Sequence, residues 1–146
     1  MEDNILFYTE GEVEMPKFFD KQIIFNWFEK IAEHYECEMG ELNFIFCDDE
    51  NILRINREYL QHDYYTDVIT FDYRVGDILN GDIYISLDTV LSNSQEFSTE
   101  YREEFHRVVC HSLLHIIGFK DKTEVDALAM RDNENICLNL LKESLT

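Results

Sequence analysis

One segment in the C-terminal half of the chain, STEYREEFHRVVCHSLLHIIG at residues 98–118, constrains the fold more than any other. Its glutamates lie early, where a helix N-terminus favours negative charge; Ser98 is the predicted N-cap and Gly118 the predicted end. The second half of the segment is apolar nearly all round, which is typical of a buried helix. We therefore expect the second half of this helix to be buried by other elements, with His111 and His115 facing a cleft.

The rest of the chain alternates between strand-like and helix-like segments, which the period of the apolar residues separates. The predicted strands are residues 4–10, 41–49, 66–74 and 81–89, and the predicted helices are residues 17–36, 48–60, 98–118 and about 123–142. The last two strands are predicted to form a hairpin or to lie side by side, joined by a turn at residues 75–81. This order predicts an α+β fold in which helices pack on a small mixed β-sheet.

Length and composition are those of an ordinary globular protein. The chain has 146 residues, of which 45% are hydrophobic and 14% aromatic. It contains no repeat, low-complexity tract or linker, so residues 1–146 are predicted to form a single domain. Neither an export signal nor an apolar run of membrane-spanning length is visible, and we therefore expect a cytoplasmic protein without a membrane partner.

The four cysteines exclude two common kinds of cysteine site. Cys37, Cys47, Cys110 and Cys137 are scattered without a C-x-x-C pair, which argues against a zinc ribbon and against a thioredoxin-like centre. For a cytoplasmic protein we expect reduced, mostly buried thiols.

A possible metal site lies at the end of the long helix. His111 and His115 are four residues apart, so they occupy one helix face, and Asp121 follows the turn at Gly118. Two imidazoles and one carboxylate can hold one Zn²⁺ ion and leave a coordination position open, as catalytic zinc sites do. The same ligand set also suits other divalent metals, Fe²⁺ among them. A single H-x-x-x-H pair also arises by coincidence, and the aspartate and the glycine stop favour the metal.

Several motifs resemble those of the YbeY endoribonuclease family. HSLLHIIGFKD at residues 111–121 is similar to the family motif H-G-x-L-H-L-x-G-Y-D-H, and Met130 matches a methionine that usually follows it. INREYL (55–60), TDVITFDY (66–73) and GDIYIS (81–86) resemble further family segments in the same order. The likeness covers roughly residues 42–130.

The resemblance implies a metal-dependent endoribonuclease that cleaves single-stranded RNA. It further implies a role in late rRNA maturation at the 3′ end of 16S rRNA and in ribosome quality control. The implied partners are rRNA and the ribosome or its proteins, with no DNA. His111, His115 and Asp121 would be the metal ligands, on a helix and turn that resemble those of a zincin. No glutamate follows His111, which argues against a peptidase of the H-E-x-x-H type, and no general base can be named.

The sequence departs from the family pattern at functional positions. Asp121 replaces the usual third histidine, and a carboxylate lowers the net charge of the metal site by one unit, which weakens its Lewis acidity. Leu60 stands where the family usually has an arginine thought to contact RNA, so His62 or another basic residue takes over that contact, or the contact is missing. Ser112 replaces a glycine, a small change in a buried turn of helix.

These departures keep two other functions open. The protein could be a ribosome-associated binding protein with a structural metal and little catalysis, or a metal-dependent hydrolase of another substrate. The formal charge of −19, from 31 acidic and 12 basic residues, works against RNA binding. RNA binding therefore requires either a local patch of basic residues or a ribosomal partner; the basic candidates are Arg54, Arg57, Arg107, Lys120 and Lys122.

Residues around the predicted metal site have open roles. Asp67 either orients a ligand histidine or caps a turn. Glu104 lies too far along the helix to reach the metal, and we expect it to pair with Arg107 or to orient a ligand. His34 and His106 are predicted to be surface or packing residues. A set of aromatic side chains either stacks on RNA bases or packs in the core: Tyr59, Tyr64, Tyr65 and Phe71.

Overall fold

The computed structural model describes residues 2–62 and 66–145, and it confirms the predicted α+β fold. A 3₁₀ turn, Glu2–Asn4, precedes the first strand. The strands are β1 (Ile5–Glu10), β2 (Glu38–Cys47), β3 (Val68–Asp72) and β4 (Ile78–Ser86). The helices are α1 (Lys21–His34), α2 (Asp49–Leu60), α3 (Leu87–Glu96), α4 (Tyr101–Ile117) and α5 (Glu124–Ser144).

The four strands form one mixed sheet in the order β1-β2-β4-β3. The first three strands of that order run parallel to one another, and β3 pairs antiparallel with β4, from Val68 opposite Ile85 to Asp72 opposite Gly81. The predicted pairing of the last two strands is thus confirmed. The turn between them is shorter than predicted, because β4 already begins at Ile78.

Helix α4 lies against β3 and β4 and is covered further by α3 and α5. It belongs to the main hydrophobic core, whose largest fully buried side chains include Trp27, Phe28, Phe44, Phe46 and Phe105. A smaller apolar cluster joins α2 to the sheet. The predicted burial of the long helix is confirmed, since nearly every turn of α4 contributes a buried side chain.

Close approach of α4 to the sheet depends on a glycine in β4. A Cβ atom at Gly81 would lie 2.6 Å from the carbonyl oxygen of Phe71 and 3.0 Å from the Cδ1 atom of Ile116. At its C-terminal end α4 stops as predicted at Gly118, where φ is 131°, a value that favours glycine. The Arg74 side chain donates a 2.6 Å hydrogen bond to the carbonyl oxygen of Ile117, which satisfies one of the helix's free terminal acceptors.

The predicted N-cap of α4 is wrong, and a helix before it was not predicted. Residues 87–89, predicted as the end of a strand, begin α3 instead, because the Ser86 hydroxyl accepts a hydrogen bond from the Thr89 amide and caps that helix. Ser98 closes α3, since its amide donates to the carbonyl oxygen of Gln95 and its φ of 56° lies in the left-handed region. Glu100 takes the N-cap position of α4 without a side-chain hydrogen bond.

The four cysteines are free thiols, as expected, and three of them are buried. Within the described residues, no helix combines the length and the apolar character that crossing a bilayer requires.

His106 is the packing histidine that was predicted, and His34 lies on the surface. The His106 ring contacts the rings of Trp27 and Phe105 edge-on and is 5% exposed. Burial, and secondly the charge of Arg102, lower the pKa of His106 from 6.5 to about 4. The imidazole is therefore buried in its neutral form.

This burial predicts a pH-dependent loss of stability. Because the unfolded chain binds a proton at His106 near pH 6.5 and the folded chain only near pH 4, stability is present above that window and is lost as the pH falls through it. The free energy of unfolding should fall by about 3 kcal/mol more in the wild type than in a His106→Gln variant between pH 7 and pH 4. Denaturant titrations at several pH values measure this difference; parallel pH profiles would contradict it.

Candidate metal centre

The three predicted ligands come together at the C-terminal end of α4. The Nε2 atoms of His111 and His115 lie 3.0 Å apart, and the Oδ2 atom of Asp121 lies 3.5 Å from the first and 3.4 Å from the second. The chain turns at Gly118 and brings Asp121 back towards the helix. Within the described part of the chain, no other three His, Cys, Asp or Glu side chains bring their ligand atoms within 4.8 Å of one another.

The spacing of these atoms fits a small divalent ion. Tetrahedral ligands at ~2.0–2.1 Å from a common centre lie roughly 3.3 Å from one another, close to the three separations found here. Two imidazole nitrogens and one carboxylate oxygen are donors that Zn²⁺ accepts readily. The set suits Fe²⁺ as well, so geometry and chemistry fit a metal without selecting one.

Each imidazole is oriented by its other ring nitrogen. Nδ1 of His111 lies 2.7 Å from Oε2 of Glu134, and Nδ1 of His115 lies 3.1 Å from the carbonyl oxygen of Phe119. Both partners are acceptors, so in each neutral ring Nδ1 carries the proton and donates it. Nε2 is then left with a free lone pair for a metal, the arrangement usual for metal-binding histidines.

Glu134 on α5 links the metal site to a buried ion pair. Arg107 donates to its Oε1 atom at 3.0 Å, and Arg131 lies 3.5 Å from the same atom. Burial alone would raise the pKa of Glu134, but the hydrogen bonds from His111 and Arg107 outweigh it, and the pKa is lowered. The carboxylate therefore stays ionised. Burial alone would lower the pKa of His111, but the hydrogen bond and charge of Glu134, with smaller contributions from Asp67 and Asp121, outweigh it, and the pKa is raised.

The residues predicted to orient the ligands therefore differ from those in the structure. Arg107 forms its ion pair with Glu134 and not with Glu104. Glu134 was missed because it lies 23 residues beyond His111 on another helix. Met130 could have indicated its position, because this buried residue lies one turn before Glu134 on the same face of α5, and Glu134 is therefore also turned inward.

Two cavities of about 470 and 480 Å³ flank the three candidate ligands. The first lies towards α3 and α5, and the second lies towards α2 and β3. His111, Asp121 and Asp67 line both cavities, whereas His115 lines only the second. Burial raises the pKa of Asp67, and the nearby charge of His111 acts in the opposite direction. Volumes of this size accommodate small ligands.

His62, one of the candidates for the contact of the missing arginine, lies at the site. Leu60 and His62 both line the second cavity, together with His115 and Asp121. Lys120 and Lys122 are exposed on either side of Asp121. Arg54, in contrast, pairs with Glu10 and Glu58, and its charge is balanced locally.

Of the aromatic side chains considered for RNA stacking, the exposed Tyr59 packs edge-on against Phe71. Tyr64 and Tyr65 lie outside the described residues.

Relatives of known name match nearly the whole chain. Proteins named endoribonuclease YbeY are 45% identical over 95% of this chain in Parabacteroides distasonis, 47% over 95% in Bacteroides fragilis and 45% over 97% in Porphyromonas gingivalis. The matches cover 96%, 99% and 92% of those proteins. A solution structure of a Thermotoga maritima protein is 26% identical, with a TM-score of 0.62, and the match covers 94% of this chain and 88% of that one.

Fold and site define an α+β protein with a solvent-accessible candidate site for one divalent metal ion. The sequence model of the family described as endoribonuclease YbeY matches residues 7–142. The chain therefore belongs to the YbeY endoribonuclease family, and the resemblance in the sequence is confirmed. Endoribonucleases are hydrolases that cleave RNA internally, so membership places the chain among RNA-cleaving enzymes. The likeness to a zincin stays a prediction.

Replacing the carboxylate of Glu134 should weaken metal binding without removing a ligand. In Glu134→Gln the amide oxygen can still accept from His111, but the negative charge that strengthens the imidazole as a ligand is lost. We expect the Kd for Zn²⁺ to rise roughly 10- to 100-fold in competition with a chromophoric chelator. Glu124→Gln, at an exposed position on the same helix, is the matched control. Equal affinities in wild type and Glu134→Gln would contradict this role.

Proposed function

We propose that this protein is a single-domain, metal-dependent endoribonuclease that cleaves single-stranded RNA, with His111, His115 and Asp121 holding one Zn²⁺ ion. The proposal extends to late maturation of rRNA at the 16S 3′ end, to ribosome quality control and to a cytoplasmic location. The observation that carries it is the triangle of ligand atoms, with sides of 3.0, 3.4 and 3.5 Å, in a protein of an endoribonuclease family.

The surroundings of the triangle support a catalytic site over a structural one. Structural zinc sites usually have four protein ligands, and here three side chains converge beside two open cavities. A divalent ion bound there would supply a Lewis acid next to a phosphodiester group. The chain's own residues prepare the site for such an ion. Glu134 and the Phe119 carbonyl orient the two imidazoles, and the Asp121 carboxylate would neutralise part of the charge of the ion.

Binding of RNA has to overcome the acidic body of the protein. At the proposed site, Arg131, Lys120 and Lys122 are exposed, while Arg107 is engaged by Glu134. This small set supports weak intrinsic affinity, and a ribosomal partner would provide the rest of the attraction. His62, in the second cavity, is our candidate for the contact that the family makes with arginine.

Cleavage of RNA by a ligand variant tests the proposal. Wild-type protein loaded with Zn²⁺ should cut a single-stranded oligoribonucleotide, and His115→Ala should lower kcat/KM by more than about 100-fold, because losing a ligand costs more than losing a supporting residue. His34→Ala, an exposed histidine on α1, should cleave like the wild type.

The outcomes separate the proposal from its two rivals. Equal, metal-independent cleavage by wild type and His115→Ala would overturn the mechanism. Zinc that raises the Tm without any RNA cleavage would favour the ribosome-associated binding protein. Turnover of peptide substrates or small phosphodiesters, but not of RNA, would favour another hydrolase. Elemental analysis of freshly purified protein identifies the native metal.

A further inference from the structure

The cavity between α3, α4 and α5 contains a buried carboxylate that the metal site does not use. Glu104 is 8% exposed and lines this cavity, which also contains His111 and Asp121 of the candidate metal site. Its side chain makes no hydrogen bond or ion pair within the described residues, and it does not belong to the candidate metal cluster. Burial removes most of the water around this carboxylate, so a ligand that brings hydrogen-bond donors into the cavity would be favoured there.

The mouth of this cavity combines an aromatic ring with a positive charge. Phe97, at the end of α3, is 58% exposed, and the side chain of Arg131 on α5 is 59% exposed. Ala127 and Met130 add apolar surface to the same wall. An exposed aromatic ring and a nearby guanidinium are the features on which proteins stack RNA bases. The volume of about 470 Å³ is in the range of small-ligand sites.

We propose that this cavity binds a guanine base next to the RNA bond that is cleaved, and that Glu104 selects guanine. The proposal rests on the proposed endoribonuclease function, because the cavity shares His111 and Asp121 with the metal site. Glu104 is a specificity residue in this account and takes no part in the chemical step.

The choice of guanine follows from the pattern of donors on the base edges. An ionised carboxylate presents two acceptors and no donor. Guanine is the RNA base with two neighbouring donors on its Watson–Crick edge, N1–H and the N2 amino group. Adenine and cytosine each place an acceptor nitrogen beside their amino group, and uracil has one N–H between two carbonyls. Burial raises the pKa of Glu104, and the positive charges of Arg107 and Arg131 act in the opposite direction.

Cleavage mapping of a mixed-sequence, single-stranded RNA tests the selection. With zinc-loaded wild type, guanine should be enriched roughly 5- to 100-fold at one position flanking the cuts, the range that a bidentate base contact provides. Glu104→Gln presents one acceptor and one donor, so its cuts should lose guanine and favour adenine or cytosine. Glu103→Gln, exposed on the same helix, should keep the wild-type pattern. Identical patterns in wild type and Glu104→Gln would overturn the proposal.

Binding of mononucleotides tests the cavity independently of cleavage. In calorimetric titrations of the zinc-loaded protein, GMP should bind at least about 5-fold more tightly than AMP, and Glu104→Gln should abolish or reverse that order. Phe97→Ala should weaken both nucleotides alike, by roughly 5- to 100-fold, through lost stacking.

The two assays distinguish a failure of this proposal from a failure of the proposed function. If no RNA is cleaved but GMP is preferred through Glu104, the endoribonuclease function fails and the guanine site stands. If RNA is cleaved while GMP and AMP bind equally, the guanine site fails and the nuclease function stands. A GMP preference without guanine at the cuts would identify a site for free nucleotides and would overturn the proposal for RNA.

Discussion

The burial of α4 is the constraint on which the rest of the structure depends. This helix lies on β3 and β4 and under α5, so packing fixes its backbone and the direction of its buried side chains. Gly81 permits the close approach, and Arg74 and Gly118 determine where the helix ends. The two histidines lie on the side of α4 that the core leaves accessible, and they are half-buried while Leu113 and Leu114 are fully buried.

The charge of Glu134, beside the candidate metal centre, is balanced locally, although the protein as a whole is strongly acidic. Arg107 and Arg131 both lie against Glu134, and this cluster keeps the carboxylate beside His111 ionised. Asp67 and Glu104 lie in a different environment from that of Glu134, because burial raises the pKa of each of these two carboxyl groups. The site thus separates a carboxylate that supports a metal ligand from carboxyl groups that line the adjoining cavities.

Features of the fold and site that follow from local sequence patterns could be predicted, and features that depend on contacts between distant residues could not. The i, i+4 histidines, the glycine stop and Asp121 lie within eleven residues, so spacing alone brings them together. Glu134 reaches His111 only because α5 packs on α4, and no periodicity in the sequence reports that packing. Helix α3 was missed because the strand-like alternation of residues 81–86 runs directly into Leu87, where the Ser86 cap changes the backbone conformation. Ser98 was a reasonable helix cap by composition, yet its place is determined by the end of the preceding helix.

The most direct measurement of the central claim is the anomalous diffraction at the zinc absorption edge from crystals of the zinc-loaded protein. We predict one strong peak at ~2.0–2.2 Å from Nε2 of His111, Nε2 of His115 and a carboxylate oxygen of Asp121. A peak bound by other residues, or a peak at the two histidines with the Asp121 carboxylate turned away, would contradict it.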